Sequence, residues 1–314
     1  MSDMRNEDGR SQRGDETYRE YAPPPGLDAH VACLWVRQAA ADGRPQSHLT
    51  VPNGSAEIVC DLDTAAIHAV GPHTIPRRGH LPAGRTIVGV RFRPGAVQAM
   101  IGLPAPEIVD SQVDLADCWP PSRSGLGESM AESASVPRAL ARLTQDLLHR
   151  AGPAPRAGLH AGAVVEWLQP WSRCTVKRLS QELYISERHL RRRCLAVFGH
   201  APKELQRILR FQALLALVQG RACDEVPLAG LALVAGYADQ AHMTRECSRL
   251  TGLTPTRFLA ELSVSCGSNH DHAISFARAR RLLSHPPHPT ARDVRFLQDP
   301  GGEPPYRRAC SRPG

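Results

Sequence analysis

The sequence predicts an α+β multidomain chain, with a β-rich N-terminal domain followed by an all-α domain. Three observations carry that expectation. From Tyr21 to about Leu126, apolar residues fall in short runs broken by Pro and Gly, as strands do. From about Val136 they recur at helical spacing, interrupted by a Pro/Gly-rich stretch over 152–158. Finally, the segment from Ser186 to Pro202 aligns without gaps on the segment from Asp239 to Pro255, an offset of 53 positions (186 to 239).

The totals bound what these domains can be. A length of 314 residues allows two domains with a core each, and 42% hydrophobic residues is ordinary for a globular protein. The longest apolar run, around Ala213–Val218, is too short to span a bilayer. Residues 1–20 are polar and charged with no apolar signal core, so they read as disordered and the protein as cytoplasmic. Nine cysteines are scattered without CxxC pairs, which suits reduced thiols buried as small hydrophobes. The net charge of +7 is unevenly spread. Residues 1–158 carry 16 Lys and Arg against 18 Asp and Glu, whereas residues 159–264 carry 14 against 9 and residues 265–314 carry 8 against 4. A polyanion bound by the C-terminal half alone fits that polarity.

The elements follow in order. Strands are expected at His30–Val36, Glu57–Leu62 and Thr86–Phe92. In the last, Ile87, Gly89 and Arg91 alternate with Val88, Val90 and Phe92 as on a half-buried strand. Pro94 and Gly95 end it, and Ala96–Ile101 forms one short helix. Residues 21–125 are therefore the β-rich domain, 126–158 a helical linker, 159–264 the helical domain, and 265–314 a mostly disordered basic tail with one short helix at Ile274–Leu283.

Both copies of the repeat are punctuated as helices. Ser186 and Asp239 are good N-caps, because their side-chain oxygens can accept from first-turn amides that lack partners. Gly199 and Gly252 can adopt the left-handed conformation that ends a helix, and Pro202 and Pro255 suit the first turn of the next. Leu190, Cys194 and Val197 line one stripe, as do Met243, Cys247 and Leu250, and both stripes should be core. The opposite face carries Arg188 and Arg192, with Arg191 at its edge, in one copy and Ala241, Arg245 and Ser248 in the other. Shorter helices at Val176–Leu183 and Leu228–Ala235 precede them, set off by tight turns at Tyr184–Ile185 and Gly236–Ala238, and the gapless alignment pairs Tyr184 with Tyr237. Helix, tight turn, basic-faced helix is the helix-turn-helix design, here present twice and joined by a long helix from about Pro202 to Val218.

With LSQELYISERHL from Leu179, GHAPK from Gly199, GYADQAHMTR from Gly236 and GLTP from Gly252, residues 159–264 resemble the DNA-binding domain of the AraC/XylS family of bacterial transcription regulators. That resemblance implies seven helices, with two recognition helices reading successive major-groove segments of double-stranded DNA about one turn apart. It implies base-edge contacts from Arg188, Arg191 and Arg192 in the first copy and from Gln240, His242 and Arg245 in the second. Lys203, Arg207, Arg210 and Arg249 are the candidates for phosphate contacts, Arg210 being placed equally well to brace the two units internally. Residues 21–125 resemble an uncharacterised domain found ahead of this module in soil bacteria, through the stretches His48–Val59, Gly71–Pro72 and Val88–Ala96. A sensor for a small-molecule effector, or a homodimerisation domain, is the expected role, with Trp35, Glu57, His73, Arg91 and Phe92 as candidate pocket residues beside the reading of ordinary strand residues. Contact with RNA polymerase would complete a regulator's partners.

Other chemistries fare worse. His242 and Cys247 lie five apart, about 140° around a helix, so one ion could not take both. Cys266 with His270, Asp271 and His272 is a weak metal-ligand tract lacking a second ligand pair. No P-loop, GxGxxG or GxSxG pattern is present, and no cofactor or enzyme activity is expected. Two alternatives remain from other classes: a DNA-repair alkyl-transfer protein, for which Cys33, Cys60 and Cys118 are too isolated, and a protein-interaction module with a basic face.

Overall fold

A computed structural model describes residues 17–41, 46–120, 125–151, 161–172, 174–219, 228–265, 270–272 and 274. The N-terminal domain is built from β1 (Thr17–Tyr21), β2 (Val31–Gln38), β3 (Gln46–Thr50), β4 (Glu57–Asp61), β5 (Ile67–Val70), β6 (Arg77–Leu81), β7 (Thr86–Phe92) and β8 (Gln112–Asp114). Its helices are α1 (Val97–Met100), α2 (Ala105–Ile108), α3 (Leu115–Cys118), α4 (Leu126–Ala131) and α5 (Val136–Arg150). The main sheet runs β8-β5-β4-β7-β2-β1, antiparallel throughout, while β3 and β6 pair as a separate ribbon.

Strand alternation decides which side of the sheet each residue serves. Ile58, Val88, Val90 and Phe92 face a core shared with Met100, Ile108, Met130, Leu143 and Leu147. On the other face Trp35 lies across Gly89, its register partner. A Cβ on Gly89 would stand 2.5 Å from Trp35 Cζ2 and 2.8 Å from the Ile58 carbonyl oxygen, so this strand position has room only for hydrogen.

Two expectations are corrected here, on the linker and on the N-terminal segment. Residues 126–158 are helical where they are described, yet α4 and α5 are not a linker: their apolar stripe, including Leu140, Leu143 and Leu147, closes the core of the sheet. The sheet starts at Thr17, inside the segment expected to be disordered, and Tyr18 of β1 is buried. In the basic tail, His270–Asp271 form a two-residue strand β9 that pairs parallel with β1. The short helix expected over Ile274–Leu283 lies, beyond Ile274, outside the described residues.

The second domain contains α6 (Ala161–Leu168), a 3-10 turn at Pro170–Ser172, α7 (Val176–Glu182), α8 (Glu187–Phe198), α9 (Pro202–Gln219), α10 (Leu228–Val234), α11 (Gln240–Thr251) and α12 (Pro255–Ser265). Two apolar cores flank α9, which lends residues to each. Leu179, Leu190, Cys194, Phe198 and Leu205 belong to the first, and Phe211, Leu231, Met243, Cys247 and Phe258 to the second.

The domains meet at both cores. Gly54 reaches Leu205, and Gln212 Nε2 donates to the Pro52 carbonyl at 2.9 Å. Leu49 and Val51 pack against the second core, and Arg78 of β6 pairs with Glu261 of α12 at 2.9 Å. At the foot of α8, the backbone of Gly199 comes so close to Val109 that a Cβ would stand 2.4 Å from it.

Candidate nucleic-acid interface

Both expected N-caps are formed. Ser186 Oγ accepts from the His189 amide at 3.2 Å, and an Asp239 carboxylate oxygen accepts from the His242 amide at 2.6 Å. Gly199 (φ 71°) and Gly252 (φ 75°) end α8 and α11 in the left-handed conformation. Leu190, Cys194, Met243, Cys247 and Leu250 are buried, Val197 is half-buried, and Phe198, which the i, i+4, i+7 spacing missed, is wholly buried.

The gapless repeat needs one correction. The Tyr184 amide donates to Gln181 O and the Ile185 amide to Ser180 O, while the Gly236 amide donates to Leu233 O and the Tyr237 amide to Ala232 O. The backbone thus pairs Tyr184 with Gly236 and Ile185 with Tyr237, and Ala238 is an extra residue in the second turn. Tyr184 holds the left-handed position (φ 52°) that Gly236 takes with φ 83°, and its ring is 83% exposed, whereas Tyr237 is buried. Similar letters hid a one-residue shift in the fold.

Arg188, Arg191 and Arg192 of α8 all point to solvent, as do Gln240 and Arg245 of α11. His242 is half-buried and tied into the turn: its Nδ1 accepts from the Ala238 amide at 3.3 Å, and its ring sits edge-on to Tyr237 at 5.4 Å. Of the four phosphate candidates, Lys203 and Arg249 are exposed. Arg249 borders a groove of about 220 Å³ with Glu204, Arg207 and Thr74. Beside Glu204, the buried His200 lies at 3.9 Å; it and, to a smaller degree, Arg249 hold that carboxyl below its ordinary value.

The other two candidates turn inward. Arg207 Nε lies 3.2 Å from Glu246 on α11, which ties the linking helix to the second recognition helix. Arg210 stacks over the Tyr237 ring at 5.5 Å, leaving it as an internal brace between α9 and the second turn. Only the three-dimensional arrangement reveals Glu246 and Tyr237 as their partners.

The candidate effector residues divide between the two faces of the sheet: Trp35, Glu57 and Arg91 share one face, and Phe92 lies on the other. Phe92 belongs to the main core, Trp35 to the opposite face of the sheet, and His73 lies 4.0 Å from Asp110. Arg91 is committed to Glu57 (2.7 Å) and to the buried Glu20 (3.2 Å). Burial works against its charge, but those carboxylates outweigh it and hold the guanidinium protonated. Among the described residues, no group of three or more His, Cys, Asp or Glu is arranged to hold a metal ion. Cys266 of the ligand tract lies outside the described residues, and His272 stacks on Tyr18 at 4.5 Å. Among the described residues, no helix is long and apolar enough to cross a membrane.

The geometry of two capped helix-turn-helix units agrees with comparison against known families. Residues 179–261 match a family described as a helix-turn-helix domain, and residues 19–114 match a domain of unknown function. The chain therefore carries a C-terminal DNA-binding domain of the AraC type behind a distinct β-rich domain. No curated protein matches the sequence. Among solved structures, the chain is similar to ToxT from Vibrio cholerae O395, with 10% identity over 79% of this chain and 97% of that one, at a TM-score of 0.37. ToxT from strain SCE256, in its unsaturated-fatty-acid-bound form, gives 10% identity, 78% and 94% coverage and a TM-score of 0.37. ToxT from strain O395 bound to (E)-4-(8-methylnaphthalen-1-yl)but-3-enoic acid gives 11%, 79% and 98%, and 0.38. At these scores the whole-chain superposition is loose.

Proposed function

We propose that the protein is a sequence-specific transcription regulator that lays α8 and α11 in successive major-groove segments of one promoter. A single observation carries this reading: two capped helix-turn-helix units share one linking helix and expose Arg192 and Arg245 at equivalent positions of their second helices. Arg188, Arg191 and Arg192 suit guanine edges, Arg245 likewise, and Gln240 suits adenine. Lys203 and Arg249 remain for phosphates, and His242 flanks the groove. Because the N-terminal domain touches both units, an effector or a second copy bound there would act on DNA occupancy or polymerase recruitment through those contacts. Catalysis has no part in the reading. The Cys60, Cys118, Cys174, Cys194 and Cys247 thiols are all pushed up by burial, which disfavours the thiolate an acceptor cysteine needs.

Selection from a randomised duplex library, followed by footprinting, tests it. The expected footprint spans two segments centred about 34 Å apart. Arg192→Ala and Arg245→Ala should each weaken binding by about 1–3 kcal/mol and relax preference at one position. A footprint unchanged in affinity and preference in both variants rejects the base-reading role. Thermal-shift screening and solution mass address the N-terminal domain: no stabilising compound together with a monomeric mass would count against both sensing and pairing.

A further inference from the structure

Corrected for the extra residue in the second turn, the two units can be compared side chain by side chain, and they are chemically unequal. From the start of α7 to Gly199, the first unit carries six Lys and Arg against two carboxylates; from the start of α10 to Gly252, the second carries two against two. On the first helices, Lys177 and Arg178 of α7 are exposed where α10 has Ala229 and Gly230. Arg178 lies 3.6 Å from Glu182, the carboxylate of its own helix. On the recognition helices, Arg188 corresponds to Ala241, Arg191 to Thr244, and Arg193 to Glu246, the residue committed to Arg207. Among the exposed positions of the two recognition helices, Arg192 and Arg245 carry the same side chain; the half-buried His189 and His242 also match.

A helix-turn-helix lays its first helix across the sugar-phosphate backbone and its second in the major groove. Exposed cations on both helices of one unit therefore meet phosphates, and each phosphate neutralised adds about 0.9 to the salt slope of binding. A unit without surplus charge adds little to that slope. Its groove face, with Gln240, Ala241 and Thr244, offers an amide matched to adenine and two methyl groups matched to the thymine methyl. We infer that the first unit is the electrostatic anchor on duplex DNA, holding phosphates through Lys177, Arg178 and Arg193, while the near-neutral second unit selects an A·T-rich segment through Gln240, Ala241 and Thr244. The inference rests on the DNA-binding reading above and divides its labour between the units.

The test uses the full chain, its selected duplex and the triple variant Lys177→Gln, Arg178→Gln, Arg193→Gln, with affinity measured across a salt series. All three side chains are exposed, and an unchanged circular dichroism spectrum and melting temperature serve as the folding control. The triple variant should lower the slope of log K against log salt by about 2–3 and weaken every sequence alike. Arg249→Gln in the second unit should change it by about 1 at most. In the selected sites, guanines should gather in the segment protected by α8 and A·T pairs in the segment protected by α11. A parent protein that selects no duplex at all overturns the DNA-binding reading itself. A parent that binds, with a slope unmoved by the triple variant or with the base composition of the segments reversed, overturns only the division of labour.

Discussion

Asp239 joins fold to function, because it caps α11 at the end that would enter the groove. Its carboxylate accepts from the His242 amide at 2.6 Å, a shorter contact than the 3.2 Å one made by Ser186 on α8. Asp239→Ala removes the acceptor, worth about 1 kcal/mol, and a negative charge at the positive end of the helix dipole, worth roughly 0.5 kcal/mol. The sum, about 1.5 kcal/mol, corresponds to roughly a tenfold loss of protection for α11 amides in native-state hydrogen exchange. Asp239→Asn keeps the acceptor and loses only the charge, so protection should fall about twofold. Ser186→Ala, which deletes a neutral cap, should lie between these two, with its loss confined to α8. On DNA the order inverts for the Asn variant: removing a carboxylate beside the phosphates should tighten binding while the helix stays capped. Peptides covering 239–251 provide the exchange readout. Unaltered α11 protection in Asp239→Ala, or an Asn variant as damaged as the Ala variant, would refute the capping argument.

Other perturbations probe the rest of the molecule. Tyr184→Gly should raise stability by about 1 kcal/mol, read as a higher urea midpoint, since Tyr184 holds φ 52° and its exposed ring packs on little. Gly89→Ala should cost about 1–3 kcal/mol and disturb the near-ultraviolet signal of Trp35, because the added methyl meets the indole at 2.5 Å. Burial pushes the Cys60 and Cys194 thiols from an ordinary 9.0 up to about 12. A thiol that keeps its proton longer in the folded state stabilises fully below about pH 9, and that contribution is lost as pH rises through about 12. The alkaline fall in melting temperature over that window should therefore shrink in Cys60→Ala/Cys194→Ala, and a parent-like fall in the double variant would speak against it. Arg91→Met should cost about 3 kcal/mol by taking the guanidinium from Glu57 and from the buried Glu20, which keeps the Tyr18 hydroxyl at 2.9 Å, with a smaller loss when Glu57→Gln is added.

The sequence by itself determined whatever depends on neighbours along the chain. Ser186, Asp239, Gly199 and Gly252 mark helix ends because capping and left-handed turns are settled within a few residues. The stripe through Met243, Cys247 and Leu250 was legible because helical periodicity folds it onto one face, and the repeat announced two units before any coordinate did. Thr86–Phe92 was legible as a strand for the same local reason. Tertiary structure alone decided where long-range partners lie. It turned Arg207 and Arg210 inward to Glu246 and Tyr237, brought α5 onto the sheet instead of leaving it as a linker, and paired His270–Asp271 with β1. It also paired Tyr184 with Gly236 in place of Tyr237, since the fold aligns buried positions and backbone conformations, not letters. Caps and periodicity cost or stabilise within one turn of chain, whereas an ion pair or a closed core depends on which surfaces meet, and that is fixed only when the whole chain has packed.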